Sequence, residues 1–152
     1  NENGVGYDRS FGPEEHVDSA VEFAGLFGPV RWRRVETPLS GYVDLSRLVA
    51  GGTDICGYAL VWIECTERIE AVIRFGSDDS GRIRLNGVWI HGVDVERIGF
   101  PDEDFVPVRL NAGRNEVLVK VCNYRGGWGF YFRMTDSSGN EIPQIRFTVD
   151  SK

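Results

Sequence analysis

Four aromatic residues in the second half of the chain carry the most suggestive chemistry: Trp89, Tyr124, Trp128 and Tyr131. Sugar rings present apolar C–H faces, and a Trp or Tyr plane meets them with wide contact at low entropic cost. Neighbouring Arg, Asn or His side chains then hydrogen-bond the hydroxyls and set specificity. Counting outward from Asn86-Gly87, a two-residue turn pairs Leu85 with Val88, Arg84 with Trp89, Ile83 with Ile90 and Arg82 with His91. This puts the apolar pairs inside and places Trp89, Arg84 and His91 on the outer face. The plainer alternative is an Arg84–Trp89 cation–π pair with no ligand. Asn123-Tyr124-Arg125-Gly126-Gly127 is a second candidate, a loop of hydrogen-bonding side chains with a Gly pair at a sheet edge; alternatively, the glycines only reverse the chain. Trp128 alternates with Phe130 and Phe132, which is a core pattern and turns Tyr131 and Arg133 to the opposite face.

Support for catalysis is thin. The sequence contains two histidines, His16 and His91, with no nucleophile elbow or helix-borne His pair, and no phosphate loop or dinucleotide fingerprint. Glu14-Glu15 and Glu103-Asp104 could mimic a glycosidase dyad, but acids are too numerous for such a pairing to be specific. The expectation is a non-enzyme.

The elements that must position these residues read as strands. Gly is 19 of 152 residues, against roughly 11 at average usage, and 4 Trp, 5 Tyr and 9 Phe accompany a single Met. Period-two patterns run over Val30–Val35, Gly41–Leu45, Ile69–Phe75, Arg82–His91, Phe105–Leu110, Glu116–Asn123, Trp128–Met134 and Ile145–Val149, with an apolar run at Ile55–Thr66. Ser77–Gly81 reads as a tight loop of turn formers and Ser46–Gly52 as a turn. Glu14–Phe27 carries a weak helical pattern worth one short turn. About nine strands with turns every ten residues predict an all-β, antiparallel β-sandwich. The expected organisation is a single domain, with 1–28 an irregular N-terminal segment packing on a sandwich over 29–152.

The formal net charge of −6 argues against a nucleic-acid partner, and no apolar run approaches the ~20 residues of a membrane-spanning helix. The polar opening Asn1-Glu2-Asn3-Gly4 is no signal peptide, and a start other than Met suggests a processed protein or a domain of a longer one. If Ile55–Thr66 is one strand, Cys56 and Cys65 stand roughly 30 Å apart and cannot pair. Either could pair with Cys122 across a sheet; three buried free thiols is the preferred reading.

Tyr58-Ala59-Leu60-Val61-Trp62, Phe75 to Gly81, Arg84-Leu85-Asn86-Gly87, Val106 to Asn115, Val119-Lys120-Val121 and Gly127 to Arg133 come in an order that resembles the galactose-binding-domain-like jelly rolls. These are found as accessory modules beside bacterial polysaccharide-degrading enzymes. The Ser-Asp-Asp, strand, Asn-Gly passage also resembles the lectin-type domain of anthrax protective antigen. The resemblance covers about residues 29–135. It implies a jelly roll that binds a poly- or oligosaccharide without making or breaking bonds, in a secreted or periplasmic protein with a covalently linked catalytic domain. It also implies adjacent carboxylates, Asp78 and Asp79, holding Ca²⁺, a hard ion wanting 6–8 oxygens. In this chain Ser80 intervenes where the lectin-type family places Gly directly after the Asp pair. The ligand-binding set expected is Trp89, Arg84, His91, Asn123, Tyr124, Arg125, Trp128 and Tyr131. The alternative from another class is a spacer that packs on a neighbouring catalytic domain and binds no sugar.

Overall fold

The computed structural model describes residues 5–15, 17–18, 20–38, 40–49 and 51–149. His16, and residues 1–4, 19, 39, 50 and 150–152 of the two expected ranges, lie outside the described residues. A 3₁₀ turn (Val5–Tyr7) precedes a small hairpin of β1 (Glu22–Gly25) and β2 (Gly28–Arg31). Then follow β3 (Tyr42–Asp44), a single helical turn α1 (Leu45–Leu48), β4 (Ile55–Cys65), β5 (Ile69–Asp78) and β6 (Ser80–Leu85). The remaining strands are β7 (Val88–Val93), β8 (Asp104–Leu110), β9 (Gly113–Asn123), β10 (Gly129–Thr135) and β11 (Ile145–Thr148).

Two antiparallel sheets form the sandwich, in the orders β3-β10-β5-β8 and β11-β4-β9-β6-β7. Without β11 this is the four-plus-four order of a jelly roll, in which successive strands alternate between sheets except at the β6–β7 hairpin. Alternation along each strand sends Ile63, Ile73, Phe75, Ile83, Leu110 and Val117 into the gap, where none has any solvent exposure. β8 forms one edge and carries Pro107 opposite Val72.

The Asn86-Gly87 hairpin forms as read. Both residues adopt positive φ, 49° and 82°, as a type I′ turn requires. Asn115, fully buried, locks the turns at this end: it accepts from Asn86 Nδ2 and from the Asn111 amide, each at 2.9 Å, and donates to the Asn111 carbonyl at 2.8 Å.

Several local readings are corrected. Residues 77–81 are not a loop: β5 runs to Asp78, β6 starts at Ser80, and the chain crosses between sheets with Ser77, Asp79 and Ser80 buried. Turn-forming composition is overridden because the buried Ser77, Asp79 and Ser80 side chains each find a partner in the interior. The strand expected over Val30–Val35 is Gly28–Arg31 instead, paired with a strand in the segment read as irregular, so the expected 28/29 boundary falls inside a hairpin. The helical reading of Glu14–Phe27 gives way to a turn and β1. Cys56 and Cys122 are register partners on β4 and β9 and form a disulfide, which replaces the three-thiol reading; Cys65 remains a buried free thiol.

Candidate functional site

Each sheet has one outer face, and the expected residues fall on these two faces, in the 123–127 loop and, for His91 and Trp128, against the core. On the five-stranded sheet, register sets Tyr58, Lys120 and Arg82 side by side, with Leu60, Leu118, Arg84 and Trp89 in the next row. This face is covered by residues 7–15. The Lys120 ammonium donates to the Arg9 carbonyl at 2.5 Å and to Glu14 Oε1 at 3.0 Å, and the Tyr58 hydroxyl donates to the same oxygen at 2.5 Å. Arg84 is buried and donates to the Glu14 carbonyl and to Glu116. Trp89 stacks with Arg82 rather than Arg84; the Arg82 guanidinium lies 4.3 Å from the Trp89 ring and 4.9 Å from that of Tyr7. Arg84 is thus engaged directly with the chain's own N-terminal segment, and Trp89 is linked to it through Arg82.

His91 does not join them. A register shift between Ile83 and Arg84 pairs Ile83 with His91 and leaves Ile90 as the extra residue. A bulge of this kind reverses the facing of everything beyond it. His91 therefore packs edge-on against Phe75 (centroids 6.1 Å) with Nε2 3.2 Å from Asp104 Oδ2. Burial pushes the Asp104 carboxyl up, but Arg97 and His91 outweigh it and hold it below the usual range.

The 123–127 loop is pinned by Asp79. Its Oδ2 accepts from the amides of Tyr124 (2.7 Å) and Arg125 (3.3 Å), and its Oδ1 accepts from the Arg97 amide (3.0 Å). Arg97 also ties Ser77 to Asp104. Asn123 is buried and donates to the Gly52 carbonyl at 2.5 Å. The Tyr124 hydroxyl donates to Asp94, and exposed Arg125 pairs with Glu96. Trp128 is 2% exposed and packs between the sheets near Gly57, donating to the Val121 carbonyl at 3.3 Å, so no ligand reaches its ring. Both oxygens of Asp79 thus accept from backbone amides, whereas the Asp78 carboxylate takes no such bond. Among the described residues no group of three or more His, Cys, Asp and Glu is placed to hold a metal.

The outer face of the four-stranded sheet is different. Alternation on β10 turns Tyr131 outward beside its partner Tyr42 on β3, with ring centroids 4.8 Å apart and planes tilted by 45°. On its other side Tyr131 is paired with Gly76, and Gly129 with Asp78. The 97–103 loop rests on Gly76, where a Cβ would stand 1.8 Å from the Phe100 carbonyl oxygen. Phe100 and Phe105 are both more than half exposed, with the Arg74 guanidinium 4.6 Å from the Phe105 ring. Arg133 and Arg74 both pair with Asp102. The Asp78 side chain is half-buried against Gly127 and has no hydrogen-bond or ion-pair partner among the described residues. Burial, then Asp79 and Glu103, push its carboxyl above the usual range. Burial, followed by Asp78 and Asp44, pushes the Tyr42 hydroxyl to about 12.

Of the residues gathered on this face, the sequence singles out Tyr131 as a ligand contact and Asp78 as a metal ligand, but not Tyr42, Gly76 or Phe100. Tyr42 was legible only as the outward neighbour of inward Val43; its meeting with Tyr131 depends on a pairing across most of the chain. Two open depressions of about 540 and 400 Å³ lie at the opposite end of the sandwich, around Arg114 and Glu67; neither is lined by an aromatic ring.

Because the Gly76 contact is with backbone, Gly76→Ala is expected to lift the 97–103 loop. The cost should be about 1–3 kcal/mol, as for other overpacked sites, with faster amide exchange confined to that loop. An unchanged melting curve and exchange pattern would mean the loop is not seated there.

Compared with family models, with curated proteins and with solved structures, the chain matches none.

Proposed function

We propose that this domain is a non-catalytic carbohydrate-binding module, accessory to a polysaccharide-degrading enzyme. The observation that carries the reading is the Tyr42–Tyr131 pair on the open sheet face, bordered by Asp78, Arg133 and the Phe100 segment. Two partly exposed rings offer a stacking platform, and the neighbouring Arg133 is a hydrogen-bonding partner for hydroxyls. The Cys56–Cys122 disulfide supports a secreted or periplasmic setting, since such bonds persist in oxidising compartments.

The spacer reading has its own support. Leu26 and Phe27 at the tip of the β1–β2 hairpin are 73% and 78% exposed, an apolar knob suited to packing on a neighbouring domain.

A glycan array with and without Ca²⁺, run on wild type and on Tyr131→Ala, Tyr42→Ala and Trp89→Ala, tests the proposal. Tyr131→Ala should weaken binding about tenfold or more, the loss of one stacked ring at roughly 1.4 kcal/mol, with the melting curve retained. Trp89→Ala should loosen the N-terminal segment and leave affinity in place. Loss of binding only in Trp89→Ala would move the site to the five-stranded face. Silence across neutral, acidic and basic glycans would overturn the module in favour of the spacer. Release of new reducing ends from a bound glycan would overturn its non-catalytic character.

A further inference from the structure

We propose that the saccharide taken up at the Tyr42–Tyr131 face carries a protonated amine, as a de-N-acetylated hexosamine does, and that Asp78 is the residue that selects it. The inference rests on the carbohydrate-binding reading and adds its ligand class.

Among the described residues, the other charged groups around the two rings already have partners. On the β3 side Asp44 accepts from Ser46 Oγ at 2.5 Å and lies 3.2 Å from Arg47. Across β10 and β5, Arg133 and Arg74 share Asp102. In the loop above, Arg97 lies 2.7 Å from Asp104 and 3.6 Å from Glu103. Asp79 is held by three amides. Asp78 alone in this set has neither donor nor cation, although it is half-buried next to the rings' own strand at the Gly129 register position.

A ligand stacked on Tyr131 would cover Asp78 further. A neutral sugar shields the carboxylate without neutralising it, and a charged acceptor left unsatisfied is costly. An acidic sugar adds like-charge repulsion. An ammonium group satisfies the carboxylate, and the faces of the two Tyr rings attract the same cation. Stacking therefore accounts for affinity toward sugars in general, and Asp78 for preference among them.

Calorimetric titration of the full chain at pH 6 with an N-acetylated chito-oligosaccharide and its de-N-acetylated counterpart tests this, with a linear alkyl diamine as a cation-only probe. Wild type should bind the amine form at least tenfold more tightly. Asp78→Asn should bring the two oligosaccharides to the same affinity, and a melting curve matching wild type reports that the variant is folded. Tyr131→Ala should weaken both. Equal wild-type affinity for the two oligosaccharides, or a preference that survives in Asp78→Asn, overturns the amine inference and leaves the carbohydrate reading standing. Diamine binding as tight as that of the amine oligosaccharide overturns the saccharide part. Absence of binding to any of the three removes the inference, and array-wide silence removes the module with it.

Discussion

Glu14→Ala should destabilise the protein by about 3–5 kcal/mol, the usual consequence of stranding one member of a buried ion pair. The Lys120 side chain is 1% exposed and that of Glu14 is 9% exposed, so water cannot replace the lost carboxylate. At roughly 2–4 °C per kcal/mol for a chain of this size, the melting temperature should fall on the order of 10 °C. Lys120→Met combined with Glu14→Ala should recover most of the loss, because the stranded charge is gone and the methionine packs against the Phe11 and Tyr58 rings that Lys120 faces. A double mutant as unstable as the single one would show that the ammonium is not the source of the cost. The pH dependence has a definite sign. Burial acts to raise the Glu14 carboxyl, but hydrogen bonds from Tyr58 and Lys120 outweigh it and hold the folded value below the ordinary 4.5. A depressed carboxyl contributes stability that is present above its unfolded value and lost as the pH falls through the folded one. The gap between wild type and Glu14→Ala should accordingly be full at pH 7 and narrow below about pH 4.5.

Removing the Cys56–Cys122 bond is the second large effect expected. The two cysteines are 66 residues apart in sequence, and closing a loop of that length restricts the unfolded chain by about 4 kcal/mol. Cys56→Ala/Cys122→Ala, or the wild type in reductant, should melt on the order of 10 °C lower. Sugar affinity should survive below the new midpoint, because the Tyr42–Tyr131 pair belongs to the other sheet. Identical melting curves with and without reductant, together with alkylation of three thiols in the untreated protein, would overturn the disulfide.

Legibility in the sequence followed the range of the interactions. The Asn86-Gly87 hairpin is fixed by two residues that tolerate positive φ, so its first pairs, Leu85 with Val88 and Arg84 with Trp89, could be counted directly. The bulge at Ile90 could not, because no local signal marks it, and one extra residue was enough to move His91 from the outer face to the interior side. Ser77–Ser80 misled for the opposite reason. Its composition says turn, but partners at 94–97 and 124–125 satisfy the buried Ser77, Asp79 and Ser80 and let the chain cross extended. The sandwich itself was readable because alternation is a local property. The site was only half readable: each tyrosine's facing follows from its own strand, but the β3–β10 pairing that unites them is set by topology.

Pro107 has a consequence for behaviour at high concentration. A sheet's outermost strand is a template onto which a second chain can zip, and fibres grow by repeating that step. In β8 the proline lacks the N–H that such growth needs, and Phe105, Pro107 and Arg109 point to solvent on one side of the strand. The protein can thus display an aromatic-rich flank beside an open strand and still resist self-assembly along it.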